Sequence, residues 1–256
     1  MTTAGRSHSP YAAAALGLGS GIAFLLAVEM LIRSAWINPF IVPLPSEILA
    51  SLPRIIREEH VLQRFLETAQ EAVIACALVS ISGVCIGAVL YKVRLLRAAT
   101  ESWVAALASA PIVLLYPLFL VVFGRNAVTI IMIGVVAALP PMILKTLEGL
   151  SAVREVLVDV GRSFKLTPVQ MFWKILLPSA LPSIFVGVRL GLIFALINIV
   201  GVEFLINFGG LGQLINELAE RYDLAGTYAA IGFVILVSVC VFLTTERLER
   251  WLIRSG

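Results

Sequence analysis

Long runs of apolar residues, separated by short polar segments, dominate this chain from one end to the other. An α-helix needs about 20 mostly apolar residues to cross the hydrocarbon layer of a bilayer, which is about 30 Å thick. Six runs have this length: Tyr11 to Ile32, Thr68 to Tyr91, Ser102 to Phe123, Ala127 to Leu147, Leu181 to Leu205, and Ala225 to Thr245. We interpret the first run as an uncleaved signal anchor, because it is longer than the apolar part of a signal peptide. The pattern predicts an all-α membrane protein with six transmembrane helices.

The composition agrees with a chain that lies mostly in lipid. Hydrophobic residues make up 60% of the 256 residues and charged residues only 14%, whereas soluble domains carry about 25% charged residues. The net charge is only +3 and the basic residues are scattered, which argues against a nucleic-acid partner. The three cysteines, Cys76, Cys85 and Cys240, lie in apolar runs without metal-ligand or disulfide spacing. We therefore expect the bilayer as a partner, and no metal site.

Basic residues divide unequally between the two sides of this six-span topology. One side carries twelve Lys and Arg residues and the other carries six, with Arg189 left inside the fifth span. The side richer in Lys and Arg faces the cytoplasm, according to the positive-inside rule. Because six spans place both ends of the chain on the same side, the count predicts that both termini are cytoplasmic.

Small residues and prolines interrupt several of the predicted spans. The stretches Gly83 to Gly87 and Gly187 to Gly191 put glycines one helical turn apart, which allows two helix backbones to approach closely. Prolines occur inside the third span, at Pro111 and Pro117, and at the expected end of the fourth, at Pro140 and Pro141. Broken helices at membrane depth are tolerated where they pack on protein or line a water-filled path. We expect packed helices around a pathway, with simple kinking as the alternative.

The longest predicted cytoplasmic segment is too regular for a disordered linker. Apolar residues recur at helical spacing in its first half, at Val153, Val156, Leu157, Val160 and Phe164. Thr167 can then cap a second helix that has Pro168 at its first position. Pro178 is expected to stop or bend the chain before the fifth span. We therefore predict two short helices that meet at a bend near Lys165 and Leu166.

Large apolar side chains with a basic rim surround this bend. The apolar cluster consists of Phe164, Met171, Phe172 and Trp173, and the rim of Arg162, Lys165 and Lys174. An exposed apolar cluster with a polar rim is typical of a surface that binds another protein. A basic amphipathic segment can also lie on anionic lipid headgroups, so both interpretations stay open at this point.

The stretch from Asp159 to Pro178, DVGRSFKLTPVQMFWKILLP, resembles the EAA loop of permease subunits of ATP-binding-cassette (ABC) importers. That loop runs Glu-Ala-Ala, three residues, Gly, nine residues, and Ile-x-Leu-Pro. In this register Asp159 takes the Glu position, Val160 and Gly161 take the two Ala positions, and Lys165 takes the Gly position. Asp for Glu is a mild departure, whereas Lys165 puts a side chain at the bend, where the family usually has none.

Three other segments resemble the nitrate, sulfonate and taurine branch of the same family. They are PLPSEIL (43–49), SAPIVLLYPLFLVVFG (109–124), and LPSALPSIFVGVRLG with the following VEFLINFGGLGQLI. Their order and spacing along the chain are those of the family. Glu71 is a departure, since Arg is more usual there.

This resemblance implies the type I importer permease fold, with six transmembrane helices and a cytoplasmic EAA coupling loop at about 150–178. Residues 1–65 would form an N-terminal tail, the first transmembrane helix and a periplasmic segment, and residues 66–253 the core permease domain. The loop residues expected to couple the chain to a cytoplasmic ATPase subunit are Asp159, Gly161, Phe164, Lys165, Thr167, Met171, Phe172 and Pro178.

The resemblance also implies partners, location and cargo. It implies a second permease copy across a two-fold axis, in the simplest case as a homodimer, ATPase subunits in the cytoplasm, and a periplasmic solute-binding protein. The complex would lie in a bacterial inner membrane. The chain itself would hold no cofactor, because the ATPase subunits bind ATP and Mg. The imported solute would be small and anionic, of the sulfonate, taurine or nitrate kind.

Two ionisable residues in the fifth span are candidates for the pathway or its gate. A charged residue near the bilayer centre costs about 3 kcal/mol on insertion scales, so Arg189 and Glu203 invite a functional interpretation. Alternatively, both pack against polar neighbours at a subunit interface. Glu203 precedes a Gly-rich turn, which extends the candidate gate to Gly210, Leu211 and Gly212. The stretch 211–224 then predicts a short periplasmic helix with one apolar face.

The sequence contains no motif of a known enzyme class. A Walker loop, a GxSxG nucleophile turn and an HExxH metal motif are all missing from it. We therefore expect a permease subunit without its own ATPase site. The serious alternative is a secondary transporter that works without an ATPase. Such a transporter typically shows two repeated halves with charges at the midplane, and no such repeat is seen here.

Overall fold

The computed structural model describes residues 10–38 and 40–254, and within these ranges the chain forms helices and no strand. The helices are α1 (Pro10–Arg33), α2 (Pro45–Glu58), α3 (Val61–Lys92), α4 (Arg94–Ala108), α5 (Tyr116–Phe123), α6 (Ala127–Ser151), α7 (Glu155–Ser163), α8 (Pro168–Met171), α9 (Leu177–Ile206), α10 (Gly210–Glu220) and α11 (Leu224–Arg254). A 3-10 turn (Ile112–Leu115) precedes α5, and a π-helical turn (Phe172–Leu176) joins α8 to α9. The start of the predicted N-terminal tail, residues 1–9, lies outside the described residues.

Among the described residues, four helical segments are long and apolar enough to cross a membrane: Val61–Lys92, Ala127–Ser151, Pro168–Ile206 and Leu224–Arg250. A bent pair of helices, Arg94–Ala108 with Ile112–Phe123, makes a fifth span if the pair counts as one. Helix α1 covers the first expected span but is not among these four or five. The all-α membrane fold is therefore confirmed, and the count of six spans stays a prediction.

The third expected span is not one straight helix. Its two halves meet at 92°, at the break between Ala108 and Ile112. Pro111 lies in this break and has no N–H for a helical hydrogen bond, while Pro117 falls in the first turn of α5, where a missing N–H costs nothing. Pro111 therefore marks the division of the span, and Pro117 is accommodated at the start of the second piece.

The fourth span does not end at Pro140 and Pro141. Both prolines are buried inside α6, which continues to Ser151. Helix α6 lies between α3 and α9 in the main core, and neighbouring helices allow a membrane helix to tolerate proline.

Glycines bring these three helices together. A Cβ atom at Gly87 would lie 2.7 Å from the Cβ of Thr146, and one at Gly187 would lie 2.9 Å from the Sδ of Met142. Gly83 also faces Met142. Since real Cβ atoms do not approach so closely, a side chain at these positions would force the facing residues to move, and the predicted close approach of helices is confirmed.

Helix α2 was missed by the sequence analysis, which left residues 34–60 without an element. It begins with Pro45, and the Glu47 carboxylate accepts a 3.2 Å hydrogen bond from the Leu44 amide. Ile55 is fully buried against apolar residues of α10 and α11. The signal was present, because apolar residues four and three apart (Ile48, Leu52, Ile55) mark one face of a helix.

Ion pairs link the C-terminal end of α2 to the segment between α10 and α11. The Arg54 guanidinium donates to Asp223, which lies between α10 and α11, and Arg221 donates to Glu59 at 2.8 Å. Burial alone would raise the pKa of Asp223, but hydrogen bonds from Arg54 and from the Gly226 amide outweigh it and hold that pKa below its usual range. The same pairing raises the pKa of Arg54.

Candidate functional site

The loop between α7 and α8 turns where the sequence predicts a bend. Lys165 adopts a left-handed backbone conformation, with φ of 55°. Its amide donates to the Arg162 carbonyl at 2.8 Å, and the Leu166 amide donates to the Gly161 carbonyl at 3.1 Å. These two bonds form the Schellman motif that ends many helices, usually with glycine at the left-handed position. Lys165 therefore occupies the left-handed position of this turn, which is the position where the family pattern has Gly.

The second helix of the loop begins as expected at Thr167. Its hydroxyl accepts a hydrogen bond from the Gln170 amide at 3.3 Å, and the Gln170 side chain accepts one from the Thr167 amide at 3.0 Å. This reciprocal pair is a capping box, and Pro168 follows at the first helical position.

Pro178 does not stop the helix, contrary to one of the two predicted outcomes, and a bend at this residue stays a prediction. The segment Pro168–Ile206 runs as one helical span of 39 residues. Just before Pro178, the Leu177 amide donates to the carbonyl of Phe172, five residues back, in a π-helical turn. This wider turn replaces the regular bonding pattern next to the proline, whose ring would clash with a carbonyl in an ordinary helix interior.

The apolar cluster of the loop divides into an outward and an inward part. Phe164 is 77% exposed, and Trp173 is also exposed, whereas Met171 and Phe172 are half-buried against the main core. Gly161 is buried, and a Cβ atom there would lie 2.7 Å from the Cε of Met171. Met171 therefore fills the space above Gly161, and only part of the expected cluster is free to contact a partner.

One side of α7 continues the outward surface. Val156, Val160 and Phe164 are exposed and lie four residues apart, which places them on the same side of the helix. Asp159 is also exposed, and it accepts a 3.0 Å hydrogen bond from Arg162. We call Val156, Val160 and Phe164 the α7 stripe.

At the opposite end of the bundle, the Gly-rich turn leads into α10. Gly209 and Gly210 both have positive φ, at 66° and 67°. The first three amides of α10 would lack partners inside the helix, but side chains of α3 and α9 accept from each of them. The Gly210 amide donates to Glu67 at 3.0 Å, the Leu211 amide to Thr68 at 2.9 Å, and the Gly212 amide to Glu203 at 2.8 Å.

Glu203 is the centre of this joint. Its side chain is completely buried, and its second oxygen accepts a 2.7 Å hydrogen bond from the Thr68 hydroxyl. The N-terminus of a helix carries a partial positive charge that stabilises a nearby carboxylate. The structure therefore brings Glu203, Gly210, Leu211 and Gly212 together as the sequence analysis expected; their role in a gate stays a prediction.

Helix α10 itself matches the predicted short helix. Leu211, Leu214 and Leu218 are buried on one face, against α2 and α11. On its other side Glu217 accepts a 2.6 Å hydrogen bond from Arg64 of α3. The apolar face of α10 thus packs against other helices of the same chain, and its outward face is polar.

Arg189 lies away from this joint. It forms a 3.0 Å ion pair with Glu249 of α11, and its guanidinium lies 5.6 Å from the centre of the Phe242 ring. This arrangement matches a packing contact between α9 and α11, and a place for Arg189 in the pathway stays a prediction.

A cavity of about 570 Å³ opens beside the α10 joint. The ionisable side chains that line it are Glu67, Glu71 and Arg125. Arg125 donates to the carbonyls of Ile206 and Asn207 at the end of α9, where a helix favours a cation. The sequence analysis assigned no role to these three residues. Glu67 and Glu71, one turn apart at the start of a span, were the signal that could have found them. Among the described residues, no group of metal-binding side chains could hold a metal ion.

Comparison with known sequences places these features in a family context. The family described as "Binding-protein-dependent transport system inner membrane component" matches residues 62–254. The chain is 37% identical over 123 residues to the glycine betaine/proline betaine transport system permease protein ProW of Escherichia coli (strain K12), covering 48% of this chain and 34% of ProW. It is 23% identical over 219 residues to the taurine transport system permease protein TauC of the same organism, covering 84% of this chain and 80% of TauC. The chain thus spans about a third of the length of ProW.

Comparison with solved structures gives the fold. Inward-facing MetNI, a methionine ABC transporter, superimposes with a TM-score of 0.66 at 20% identity, covering 74% of this chain and 94% of the MetNI chain. At this identity the likeness establishes a shared arrangement of helices and leaves the transported solute open.

Proposed function

Because the chain belongs to the family of binding-protein-dependent transport system inner membrane components, we propose that it is the membrane-spanning permease subunit of an ATP-driven importer. In this proposal the chain crosses a bacterial inner membrane six times, with α1 as the first span and both termini in the cytoplasm. Residues 1–65 and 66–253 are its N-terminal segment and its core permease domain. Solute passes from the periplasm to the cytoplasm.

The α7 stripe is the observation that supports coupling to an ATPase. Its three apolar side chains are exposed at the end of the bundle where the charge count predicts cytoplasm. Arg162 and Lys165 flank it and are exposed. A short row of exposed apolar residues with a charged rim fits a groove on another protein. In this proposal the loop at 150–178 docks on a cytoplasmic ATPase subunit and passes its motion to α9.

The remaining partners follow from the same assignment. A second copy of the permease completes the pathway, and a periplasmic binding protein delivers the solute to the α10 end. The solute is a small molecule that carries an anionic group, of the sulfonate, taurine or nitrate kind. The ATPase subunits bind ATP and Mg, and the permease holds no cofactor of its own. The dependence of the family on binding proteins favours an importer over a secondary transporter.

Docking through the α7 stripe is tested by truncating its most exposed side chain. Interface anchors typically cost at least about 2 kcal/mol when truncated, so Phe164→Ala should weaken ATPase docking by more than about tenfold. The half-buried Phe172 packs on the core, so we expect Phe172→Ala to lower stability as well as docking. The measurement is co-purification of the cognate ATPase with the permease, followed by ATP hydrolysis stimulated by the binding protein.

Phe40→Ala is the matched control, because Phe40 is 87% exposed and lies in the segment predicted to be periplasmic. It should leave ATPase docking unchanged. Full docking and stimulation in both Phe164→Ala and Val160→Ala would place the loop on the membrane surface instead, and would remove the main support for the importer.

A further inference from the structure

Two buried carboxyl groups meet at the α10 joint. The Glu71 side chain of α3 is hydrogen-bonded to the Glu203 side chain of α9. Glu203 is completely buried, and Glu71 is only 8% exposed. A carboxylate accepts hydrogen bonds but has no hydrogen to donate. A hydrogen bond between two carboxyl groups therefore requires that one of them carries a proton.

The donors around the pair identify Glu203 as its ionised member. The two oxygens of Glu203 accept hydrogen bonds from the Thr68 hydroxyl at 2.7 Å and from the Gly212 amide at 2.8 Å. Gly212 lies in the first turn of α10, where the partial positive charge of the helix also favours a carboxylate. Donors of this kind stabilise the charged form of a carboxyl group over the protonated form. The proton of the pair therefore lies on Glu71.

The surroundings of Glu71 oppose a further negative charge. Its charged neighbours are Glu203 and Glu67, and Glu67 is held as a carboxylate by a 3.0 Å hydrogen bond from the Gly210 amide. The Arg125 guanidinium lines the same cavity, but two of its nitrogens donate to backbone carbonyls at the end of α9. Within the described chain, no donor reaches the buried Oε2 atom of Glu71. An ionised Glu71 would lack compensation there, because a buried charge is costly without a partner.

We propose that Glu71 is a protonated carboxylic acid that donates its hydrogen to the Glu203 carboxylate and thereby positions Glu203 against the first turn of α10. The proton links α3 to α9, and Glu203 in turn links α9 to α10. Glu71 is a positioning residue, since it acts on the α10 turn through Glu203. This role depends neither on the identity of the solute nor on the ATPase.

Infrared spectroscopy tests the protonation state. A protonated carboxyl group has a carbonyl stretching band that is distinct from the bands of a carboxylate. The samples are the unmodified permease and Glu71→Gln, each assembled with its ATPase in nanodiscs at neutral pH. We expect their difference spectrum to show the loss of one such band in Glu71→Gln.

Glu67→Gln is the matched control, because Glu67 lies one helical turn before Glu71 and lines the same cavity. This variant should leave the carbonyl band in place. A band that survives in Glu71→Gln, or that disappears in Glu67→Gln instead, would overturn the proposal.

The midpoint of heat unfolding tests the positioning role. Glu71→Gln keeps the shape of the side chain and offers an amide N–H to Glu203, so its midpoint should stay close to that of the unmodified chain. Glu71→Leu removes the donor but keeps a side chain of similar size. Its midpoint should fall by at least about 3 °C, because a hydrogen bond to a buried charged group is lost.

Equal midpoints for Glu71→Gln and Glu71→Leu would exclude the hydrogen-bond donor as the function of Glu71. A marked rise in Glu71→Gln would also contradict the proposal, since it would indicate relief of repulsion between two carboxylates. The infrared test needs only Glu71→Gln, so it decides the protonation state even where Glu71→Leu does not fold. Neither test depends on the ATPase docking assigned to the α7 stripe, and the two proposals can therefore fail separately.

Discussion

The amide of Gly212 donates a 2.8 Å hydrogen bond to the buried carboxylate of Glu203, nine residues earlier in the chain. The turn between α9 and α10 is therefore held closed by its own two ends. A Cβ atom at Gly212 would lie 2.6 Å from the Phe204 amide nitrogen, so a side chain there must push backbone against backbone.

We expect Gly212→Ala to destabilise the purified protein by about 1–3 kcal/mol, the usual cost of overpacking a well-packed site. The measurement is the midpoint of heat unfolding in detergent. Gly232→Ala is the control, because Gly232 has open space around its Cα and lies inside a helix, where alanine is preferred. An equal midpoint for the two variants would contradict the tight contact.

Lys165→Gly tests the left-handed turn of the loop. A left-handed conformation costs a non-glycine residue about 1–2 kcal/mol, and the greater freedom of glycine in the unfolded chain offsets about 0.4–1 kcal/mol of that gain. We therefore expect Lys165→Gly to be neutral or slightly stabilising and to retain ATPase stimulation. Lys165→Val should lower the unfolding midpoint, because β-branched residues adopt positive φ least readily. A clear loss of stability in Lys165→Gly would show that the lysine side chain itself is needed.

The Arg54–Asp223 pair makes stability depend on acid pH. The folded-state pKa of Asp223 lies below its usual value of 3.8, so the pair stabilises the folded state above about pH 4 and loses this effect as the pH falls through the lower folded value. We expect the difference in unfolding midpoint between the unmodified chain and Asp223→Asn to shrink as the pH is lowered from 6 towards 3. A difference that does not change over this range would exclude the ion pair as its cause.

Cysteine labelling in intact cells tests the orientation of the chain. Ser151→Cys should react only after the membrane is made permeable, because the charge count places it in the cytoplasm. Glu58→Cys and Asn216→Cys should react from outside. A probe at Ser255, beyond the described residues, should behave like Ser151→Cys. Any exchange of sides among these positions would contradict six spans with cytoplasmic termini.

Local signals in the sequence predicted local features of the structure. The spans were predicted from hydropathy, the cap at Thr167 from Ser/Thr-Pro spacing, and α10 from the apolar face that begins at Leu211. Each of these depends on residues close together in the chain. The proline rule failed inside α6 and at Pro178 for a different reason. There, packing on α3 and α9 or a π-helical turn compensates for the lost hydrogen bond, and neither is visible in a local pattern.

The cavity could not be predicted because its parts are far apart in the chain. Glu71 belongs to α3, Arg125 precedes α6, and Asn207 ends α9. No spacing rule connects these positions, and only the assembled bundle places them around one space. The same holds for the contact between Thr68 and Glu203, which are separated by 135 positions. In the sequence, Glu71 stands out as a departure from the family pattern and as an acid one turn after Glu67, and neither signal points to Arg125 or Asn207.

The π-helical turn that carries the chain past Pro178 has a mechanical consequence. It makes the segment from Pro168 to Ile206 a single rod of 39 residues, which is about 58 Å long at a rise of about 1.5 Å per residue. One tip carries the loop beside the α7 stripe, and the other carries Glu203 and the wall of the cavity. A tilt of about 5° in a rod of this length moves the far tip by about 5 Å. In the proposed importer, one continuous helix would therefore carry a displacement of the cytoplasmic loop to the wall of the cavity.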